Sequence, residues 1–460
     1  MGGFADLEVR IERDEVSFRI DGRDYSGPHG LSSRASIDAL WDAGPAAYGT
    51  ALFRATFGDG LPEEGYRAAV AASDADATHW RVRLNLCDPA LHDIWWEALR
   101  DERLPHRKFA TDRFTPLSRY LPLPAARAPV RAAPLRVLVA ISSPADLGSR
   151  WPGLDPLDEE LERHTLERAF AGLDVDWEVL TEPASLAALR RRLRDEEFHV
   201  LHVVGHGWRT PDGRGALLLE DDDQSGDPVA EERLGELVSG LGDSPLRLVV
   251  LASCHGASRS RTDPFMGLAP RLVEYGMPAV VAMQDRVSTD SARRFSQLFY
   301  DSLADPARAN GMVDVAMNDA RDELYYARED GWDWAIPVLF LRGEGRVFEL
   351  PAPAPAAPAA AGPLLSPVVG ATAPPAVGSA LGAVDAGLRM RLFGDLAALP
   401  VERLRTIAYF VLGEQPPELE DALAEVRARE LLRRCEAGGR LGDLEHVLRS
   451  LPAAAGGAAR

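Results

Sequence analysis

Two residues capable of nucleophilic chemistry follow directly after two apolar runs of the sequence. His206 comes just after residues 198–204, and Cys254 comes just after residues 246–252. A cysteine thiol has an ordinary pKa of about 8.5 and needs a base to become the reactive thiolate at neutral pH. A neighbouring imidazole can take that proton and later return it to a leaving amine. The two residues therefore predict a cysteine nucleophile with a histidine base.

The two apolar runs are typical of parallel strands that are covered on both faces. Each is a continuous stretch rich in Leu and β-branched residues and is followed by glycine. Between residues 135 and 341 such runs alternate with helical stretches, which predicts a doubly wound, mostly parallel α/β sheet. Chemistry in such sheets collects beyond the carboxyl ends of the strands, where His206 and Cys254 stand.

The predicted elements of this region can be given in chain order. Strands are expected at 135–141, 175–180, 198–204, 246–252, 278–283 and 336–341, with a hairpin arm beginning at Ala216. Helices are expected at 155–173, 184–196, 231–241, 265–275, 290–303 and 313–328. The acidic run 220–223 is expected to form a solvated hairpin tip, with a calcium or basic-partner role as the alternative.

Sequence patterns divide the chain into four predicted regions. Residues 1–130 form an N-terminal α+β region that packs on or extends the main sheet, residues 131–350 form the α/β domain, and residues 351–385 form a Pro/Ala-rich linker. Residues 386–452 regain helical periodicity and predict a small all-α bundle.

In the first region, 1–130, the alternation of apolar and charged residues predicts strands starting near Leu7 and Val16 and a half-buried strand at 80–86. A helix is expected at 45–72, and the aromatic-rich stretch 93–101 is expected to dock against the larger sheet.

Composition restricts the functional classes that fit this chain. A formal net charge of -20 argues against binding nucleic acid or an anionic membrane. The three cysteines lie far apart, which argues against a disulfide scaffold and for a reducing compartment. No signal peptide or membrane span is recognisable, so a cytoplasmic location is expected.

The glycines beside the reactive pair suggest how an oxyanion could be stabilised. Gly207 and Gly256 carry no side chain, so backbone N–H groups, best those of Gly207 and Cys254, could face a developing negative charge. Cys87 and Cys435 have no histidine partner pattern and are expected to be core residues. A zinc site formed by His202, His206, Cys254 and His255 is conceivable, but the spacing matches no zinc-ligand signature.

At these residues the chain resembles CHAT-domain cysteine peptidases, which are clan CD relatives of caspases and separases. The resemblance rests on the stretches FHVLHVVGHG, GALLLEDDD, LRLVVLASCHGA, DPFMGLAPRLVEYGMPAVVAMQDRVS and WDWAIPVLFLRG. It is strong over residues 135–350 and weaker over 7–121. It implies a caspase-like fold with catalytic His206 and Cys254, and the interval of 48 residues between them is close to that of caspases. The resemblance assigns no catalytic role to His255.

Substrate preference is expected to depend on acidic residues after the first and later strands. Asp146 and Asp285 could each pair with a substrate Arg or Lys. The alternative roles are a helix or turn cap for Asp146 and a helix-leading acid for Asp285. Metacaspase-like relatives have an acidic residue two positions before the cysteine, whereas this chain has Ala252, which weakens the expectation of basic specificity.

The C-terminal helical region resembles the effector-associated, death-like domains of prokaryotic effectors, through LFGDLAALPVERLRTIAYFVLGE and ELLRRCEAGGRLGDLEHVLRSL. This resemblance implies homotypic pairing through residues 386–452, with a passive helical tail as the alternative.

The complete hypothesis is that the protein is an inducible cysteine endopeptidase of a prokaryotic conflict or programmed-death (antiphage) system. It would cut a partner protein, such as a pore-former or another effector, and would need no cofactor or metal. The competing hypothesis is a catalytically silent caspase-like scaffold that binds partner proteins.

Overall fold

A computed structural model describes residues 4–351 with short gaps, together with three isolated leucines beyond them, Leu396, Leu431 and Leu444. The gaps are residues 21–22, 32–33, 59, 77–78, 104–108, 124–126, 152, 211–213, 254–264, 286 and 329–330. The chain divides into two compact units, Met1–Ala359 and Ala360–Arg460. Within the second unit the three leucines have helical backbone and are fully buried, whereas the rest of the predicted bundle, the linker and Cys435 lie outside the described residues.

The first unit alternates strands and helices along most of its length. The strands are β1 (Phe4–Ile11), β2 (Glu15–Ile20), β3 (Arg23–Pro28), β4 (His79–Leu86), β5 (Leu117–Tyr120), β6 (Val130–Arg131), β7 (Leu135–Ile141), β8 (Val175–Val179), β9 (Val200–Arg209), β10 (Gly215–Glu220), β11 (Gly226–Ala230), β12 (Leu248–Ser253), β13 (Ala279–Met283), β14 (Pro337–Leu341) and β15 (Phe348–Glu349). The α-helices are α1 (Arg34–Asp38), α2 (Pro45–Phe57), α3 (Gly60–Asp76), α4 (Leu147–Arg150), α5 (Glu159–Phe170), α6 (Leu186–Asp195), α7 (Glu231–Ser239), α8 (Phe265–Glu274), α9 (Thr289–Ala304) and α10 (Val313–Ala327). Short 3-10 helices lie at Trp41–Ala43, Pro89–Asp93, Trp96–Ala98 and Asp333–Ala335. No helix among the described residues is long and apolar enough to cross a membrane.

Thirteen of the described strands form one sheet. Its order is β8-β7-β9-β12-β13-β14-β5-β4-β1-β2-β3, and the β10–β11 hairpin pairs with the last part of β9. Strands β8, β7, β9, β12 and β13 run parallel, and β14 is antiparallel to β13. The predicted, mostly parallel α/β sheet is therefore confirmed. Because β5 pairs with β14, the N-terminal strands continue the same sheet.

Helices cover both faces of the central strands, as expected of a doubly wound sheet. Even-numbered residues of β9 and β12, such as Val204 and Ala252, belong to the hydrophobic cluster that contains Phe170 of α5 and Phe299 of α9. Odd-numbered residues of the same strands belong to a second cluster with α6, α7 and α8. Burial on both faces explains why these strands read as continuous apolar runs.

Two expectations from the sequence need correction. The helix predicted at 45–72 is two helices, α2 and α3. Strand β4 was expected to be half-buried, but Arg81 and Arg83 on its alternate face are only 8% and 7% exposed. They can be buried because Arg81 pairs with Asp314 of α10 and Arg83 pairs with Asp6 of β1.

Candidate active site

His206 lies in the middle of the sheet and is 3% exposed. The apolar run was expected to break at Gly205, but β9 continues through His206 to Arg209. The reason is that residues 206–209 pair with the antiparallel strand β10, beyond the point where β7 ends. His206 is opposite Leu218, and the half-buried Gly207 is opposite Leu217. Pairing with β10 therefore holds the backbone that carries the imidazole.

The imidazole of His206 is oriented by a backbone carbonyl. Its Nε2 lies 2.9 Å from the carbonyl oxygen of Asp155, in the segment that leads into α5. A carbonyl can only accept a hydrogen bond, so Nε2 carries the proton, and the neutral ring has its lone pair on Nδ1. The nitrogen able to act as a base is thus Nδ1. Sequence analysis missed Asp155 because a main-chain contact leaves no signal in residue type.

Strand β12 ends beside this histidine. The last described pair of the β9–β12 register is Ser253 opposite Gly205, and the next residues along the two strands are Cys254 and His206. Cys254 itself lies outside the described residues, as do His255 and Gly256. The proposed thiol–imidazole contact and the proposed oxyanion N–H groups therefore stay predictions.

A buried carboxylate ties together the loops at the carboxyl edge of the sheet. Glu220, the last residue of β10, accepts hydrogen bonds from the backbone N–H groups of Ser143 and Ala184, both at 2.8 Å. The acidic run 220–223 was expected to be a solvated tip, and this is wrong for Glu220, which is 7% exposed. Its two oxygens satisfy N–H groups that follow β7 and β8, which water would otherwise have to reach.

We expect Glu220→Gln to destabilise the fold by about 1–3 kcal/mol, because an amide NH2 would face a backbone N–H and leave it unpaired. Urea unfolding measures the change. The matched control is Asp222→Asn, at an exposed position of the same hairpin, which should leave the unfolding midpoint unchanged. Equal midpoints for Glu220→Gln and wild type would contradict the role given to this carboxylate.

The two predicted specificity carboxylates have different surroundings. Asp146 precedes α4, and its Oδ1 accepts from the Gly226 N–H at 2.8 Å and from the Trp151 indole N–H at 3.3 Å. It also pairs with Arg150 at 3.6 Å. Asp285 is half-buried and follows β13. Asp146 thus links the loop after β7 to β11, while Asp285 stands at the edge where the parallel strands end.

The segment before Asp285 is held by a buried ion-pair network that the sequence did not indicate. Gln284 donates to Glu97 Oε2 at 2.9 Å and accepts from Arg119 Nη2 at 3.0 Å. Glu97 and Arg119 pair at 2.9 Å and are 1% and 0% exposed. Glu97 belongs to the aromatic-rich stretch 93–101, so the predicted docking of that stretch on the sheet is confirmed.

His202 lies two residues before Val204 in β9, on the same face of the sheet as His206. Its surroundings, however, are those of a core residue. It is 1% exposed, and its Nδ1 lies 3.0 Å from the Tyr300 hydroxyl of α9. Burial lowers the pKa of His202 to about 4. Burial, assisted by the charge of Arg119, also lowers the pKa of His92 to about 4. Within the described ranges, no group of three or more His, Cys, Asp and Glu residues is arranged to hold a metal ion.

These two histidines predict a loss of stability in acid. Their pKa values are lower in the folded state than the ordinary value of about 6.5, so the unfolded chain takes up protons that the folded chain cannot. Stability should be intact above about pH 6.5 and fall towards pH 4, by up to about 1.4 kcal/mol per pH unit for each histidine. Urea unfolding at pH 7, 6 and 5 tests this expectation. His202→Gln should reduce the slope by one proton, and an unchanged slope would rule out a contribution from His202.

Cys87 was expected to be a core residue, and this is wrong. It follows β4 and is exposed, and its thiol lies 3.7 Å from Asn85 Oδ1. Partial burial raises the pKa of the thiol, against the opposing charge of Arg10. Cys87 is therefore an accessible thiol with little thiolate at neutral pH, and a labelling experiment has to control for it.

Comparison with known proteins places this site within a family. The family model described as "CHAT domain" matches residues 47–342. No curated protein shows significant sequence similarity to the chain. Solved structures with similarity include the separase–securin complex of Saccharomyces cerevisiae at 14% identity and a TM-score of 0.33, covering 57% of this chain and 15% of that one.

Two further solved structures are also similar to the chain. One is the complex of the pro- and mature domains of Porphyromonas gingivalis RgpB, at 11% identity and a TM-score of 0.32, covering 58% of this chain and 65% of that chain. The other is the Arg-specific cysteine proteinase gingipain R, at 10% identity and a TM-score of 0.29, covering 59% and 55%. The match to the family model spans well over half of the residues, and on that basis the chain belongs to the CHAT domain family.

Proposed function

We propose that the protein is a cysteine endopeptidase in which Cys254 is the nucleophile and His206 the general base and acid. The observation that carries the proposal is the buried His206, whose Nε2 lies 2.9 Å from the Asp155 carbonyl oxygen, so that Nδ1 is the nitrogen able to act as the base. The family match supports a protease-type function.

The register of the two strands supports pairing of these residues. Ser253 is opposite Gly205, and even-numbered side chains of β9 and β12 share one face. If Cys254 keeps this register, it is opposite His206 on that face at the ordinary strand spacing of about 4.8 Å. This spacing allows a thiol–imidazole hydrogen bond.

The reaction then follows in balanced steps. Nδ1 of His206 takes the proton of the Cys254 thiol, and the sulfur attacks the carbonyl carbon of the scissile peptide bond. The backbone N–H groups of Gly207 and Cys254 stabilise the resulting oxyanion. When the C–N bond breaks, His206 gives its proton to the leaving amine, which produces a thioester. A water molecule deprotonated by His206 hydrolyses the thioester and restores the thiol.

Of the two candidate specificity residues, Asp146 already has a structural role. Asp146 Oδ1 already accepts two hydrogen bonds that join loops, and turning it towards a substrate would leave the Gly226 N–H unpaired. With Arg-, Lys-, Leu- and Asp-ended reporter peptides, Asp285→Asn should selectively raise KM for the basic peptides. Asp146→Asn should instead lower stability. Equal effects of Asp285→Asn on all four peptides would exclude basic recognition at this residue.

The biological role extends the same proposal to the C-terminal region. Residues 386–452 act as an effector-associated, death-like module that pairs with its like on a partner, and residues 351–385 act as its tether. Tethering raises the local concentration of the peptidase near its target without fixing geometry. The setting is a prokaryotic, antiphage programmed-death system in which the enzyme cuts a protein effector.

A covalent thiol-directed peptide probe distinguishes the enzyme from a silent scaffold. In a Cys87→Ser background the probe should label Cys254, and labelling should be lost in His206→Ala. Capture of proteins by full-length Cys254→Ala, followed by their cleavage with the active enzyme, then identifies substrates. If no probe labels Cys254, whatever its peptide sequence, the result would favour the silent scaffold.

A further inference from the structure

An open cavity lies at the edge of the sheet opposite His206. It has a volume of about 490 Å³ and is lined by Phe4 at the start of β1, by Pro278 just before β13, and by the turn 343–347 after β14. Strand β13 runs parallel to β12, so its first residue is at the opposite edge from Ser253. Five strand residues separate the two edges by about 16 Å. The cavity is therefore distinct from the candidate active site.

Arginines outnumber carboxylates around this cavity, since Glu344 is the one acidic residue of the lining beside three arginines. Arg127 and Arg346 line it, and Arg247 lies behind them, bonded to the Ala128 carbonyl at 2.9 Å. In the part of the chain that the structure describes, none of these three arginines forms an ion pair. Arg127 Nη1 is buried and has no hydrogen-bond partner, and Arg346 Nη1 donates only to the Asn310 carbonyl.

The like charges affect one another. Burial and the nearby charge of Arg127 both lower the pKa of Arg247. Arg81, the remaining cationic side chain of the lining, is already neutralised by Asp314. A chain with a net charge of -20 has many carboxylates that could pair with arginine, yet it leaves three arginines unpaired at one place. Concentrated, unneutralised guanidinium groups beside a cavity are an arrangement that a bound anion stabilises.

We propose that this cavity binds a small ligand that carries two or more phosphate groups, such as a nucleoside polyphosphate. Guanidinium forks match phosphate oxygens in bidentate geometry, and Arg127 and Arg346 both have N–H groups to offer. Several negative charges are needed to balance Arg127, Arg247 and Arg346 together. The open volume also accommodates more than a single inorganic ion. This inference does not depend on the proposed peptidase activity.

Titration calorimetry of the full chain with inorganic tripolyphosphate at low salt tests the proposal, with a thermal-shift assay as a second readout. Tripolyphosphate should bind with one-to-one stoichiometry and raise the melting temperature. The double variant Arg127→Gln, Arg346→Gln should weaken binding at least about tenfold. Arg13→Gln is the matched control, since Arg13 is an exposed arginine whose side chain is 81% accessible, and its affinity should equal that of wild type.

A second double variant keeps the test decisive if the glutamine variant folds poorly. Arg127→Lys with Arg346→Lys retains the charge but not the fork, so it should fold and still bind tripolyphosphate several-fold more weakly than wild type. The proposal is overturned if wild type shows no saturable binding. It is equally overturned if all variants, including Arg13→Gln, bind alike, because the anion would then be attracted by surface charge alone.

Discussion

Cys254→Ala is expected to abolish peptide cleavage, and His206→Ala is expected to lower kcat/KM by roughly a thousandfold or more. Alanine at 254 removes the attacking sulfur. Alanine at 206 removes both the acceptor of its proton and the donor to the leaving amine. The measurement is steady-state cleavage of the four reporter peptides, with circular dichroism to show that each variant is folded.

The activity of the double variant tests whether Cys254 and His206 act together. If the two residues act as one unit, the double variant should be no less active than Cys254→Ala alone. Cys87→Ser is the matched control, because it removes a thiol that is exposed and far along the chain, and it should retain full activity. Loss of activity in Cys87→Ser with retention in Cys254→Ala would reverse the assignment of the nucleophile.

Arg119→Ala is expected to destabilise the protein by about 3–5 kcal/mol. Arg119 is 0% exposed, and its guanidinium group bonds Glu97, Gln284 and the carbonyls of His92 and Ile94. Its removal leaves the buried carboxylate of Glu97 with only the more distant pair to Arg321, at 4.0 Å. Because the network joins β5 to the segment after β13, the loss should also loosen the region around Asp285. Urea unfolding measures the free energy.

Two comparisons test whether the loss of the buried ion pair with Glu97 is the cause. Arg19→Ala removes an arginine from an exposed ion pair with Asp24 and should leave the unfolding midpoint unchanged. Arg119→Lys keeps a positive charge beside Glu97 and should be less harmful than Arg119→Ala. If Arg119→Ala unfolds at the same urea concentration as wild type, the network contributes nothing to stability.

The central strands could be predicted from sequence because burial on both faces leaves an unambiguous pattern. Strand β7 matches its predicted limits, and β12 and β13 are within two residues of theirs. The prediction failed where pairing or burial depends on a partner that is distant in the sequence. Nothing local indicates that β10 pairs with β9 beyond Val204, or that Asp314 makes it possible to bury Arg81.

The candidate site was predictable only in its side-chain chemistry. His206 was found because a histidine between glycines at a strand end is conspicuous, whereas the Asp155 carbonyl that sets its tautomer is invisible in the sequence. Glu220 was misjudged for a related reason. Its acidic neighbours suggested exposure, and only the fold brings two unpaired N–H groups to it.

The most direct test of the proposed dyad is the pH dependence of alkylation at Cys254, measured by mass spectrometry with iodoacetamide in a Cys87→Ser background. A thiol beside His206 should react with an apparent pKa well below the ordinary value of about 8.5, and His206→Gln should shift that pKa upward. If the alkylation profile of Cys254 is the same in both proteins and is that of an ordinary thiol, the sulfur and the imidazole do not interact, and the peptidase assignment fails.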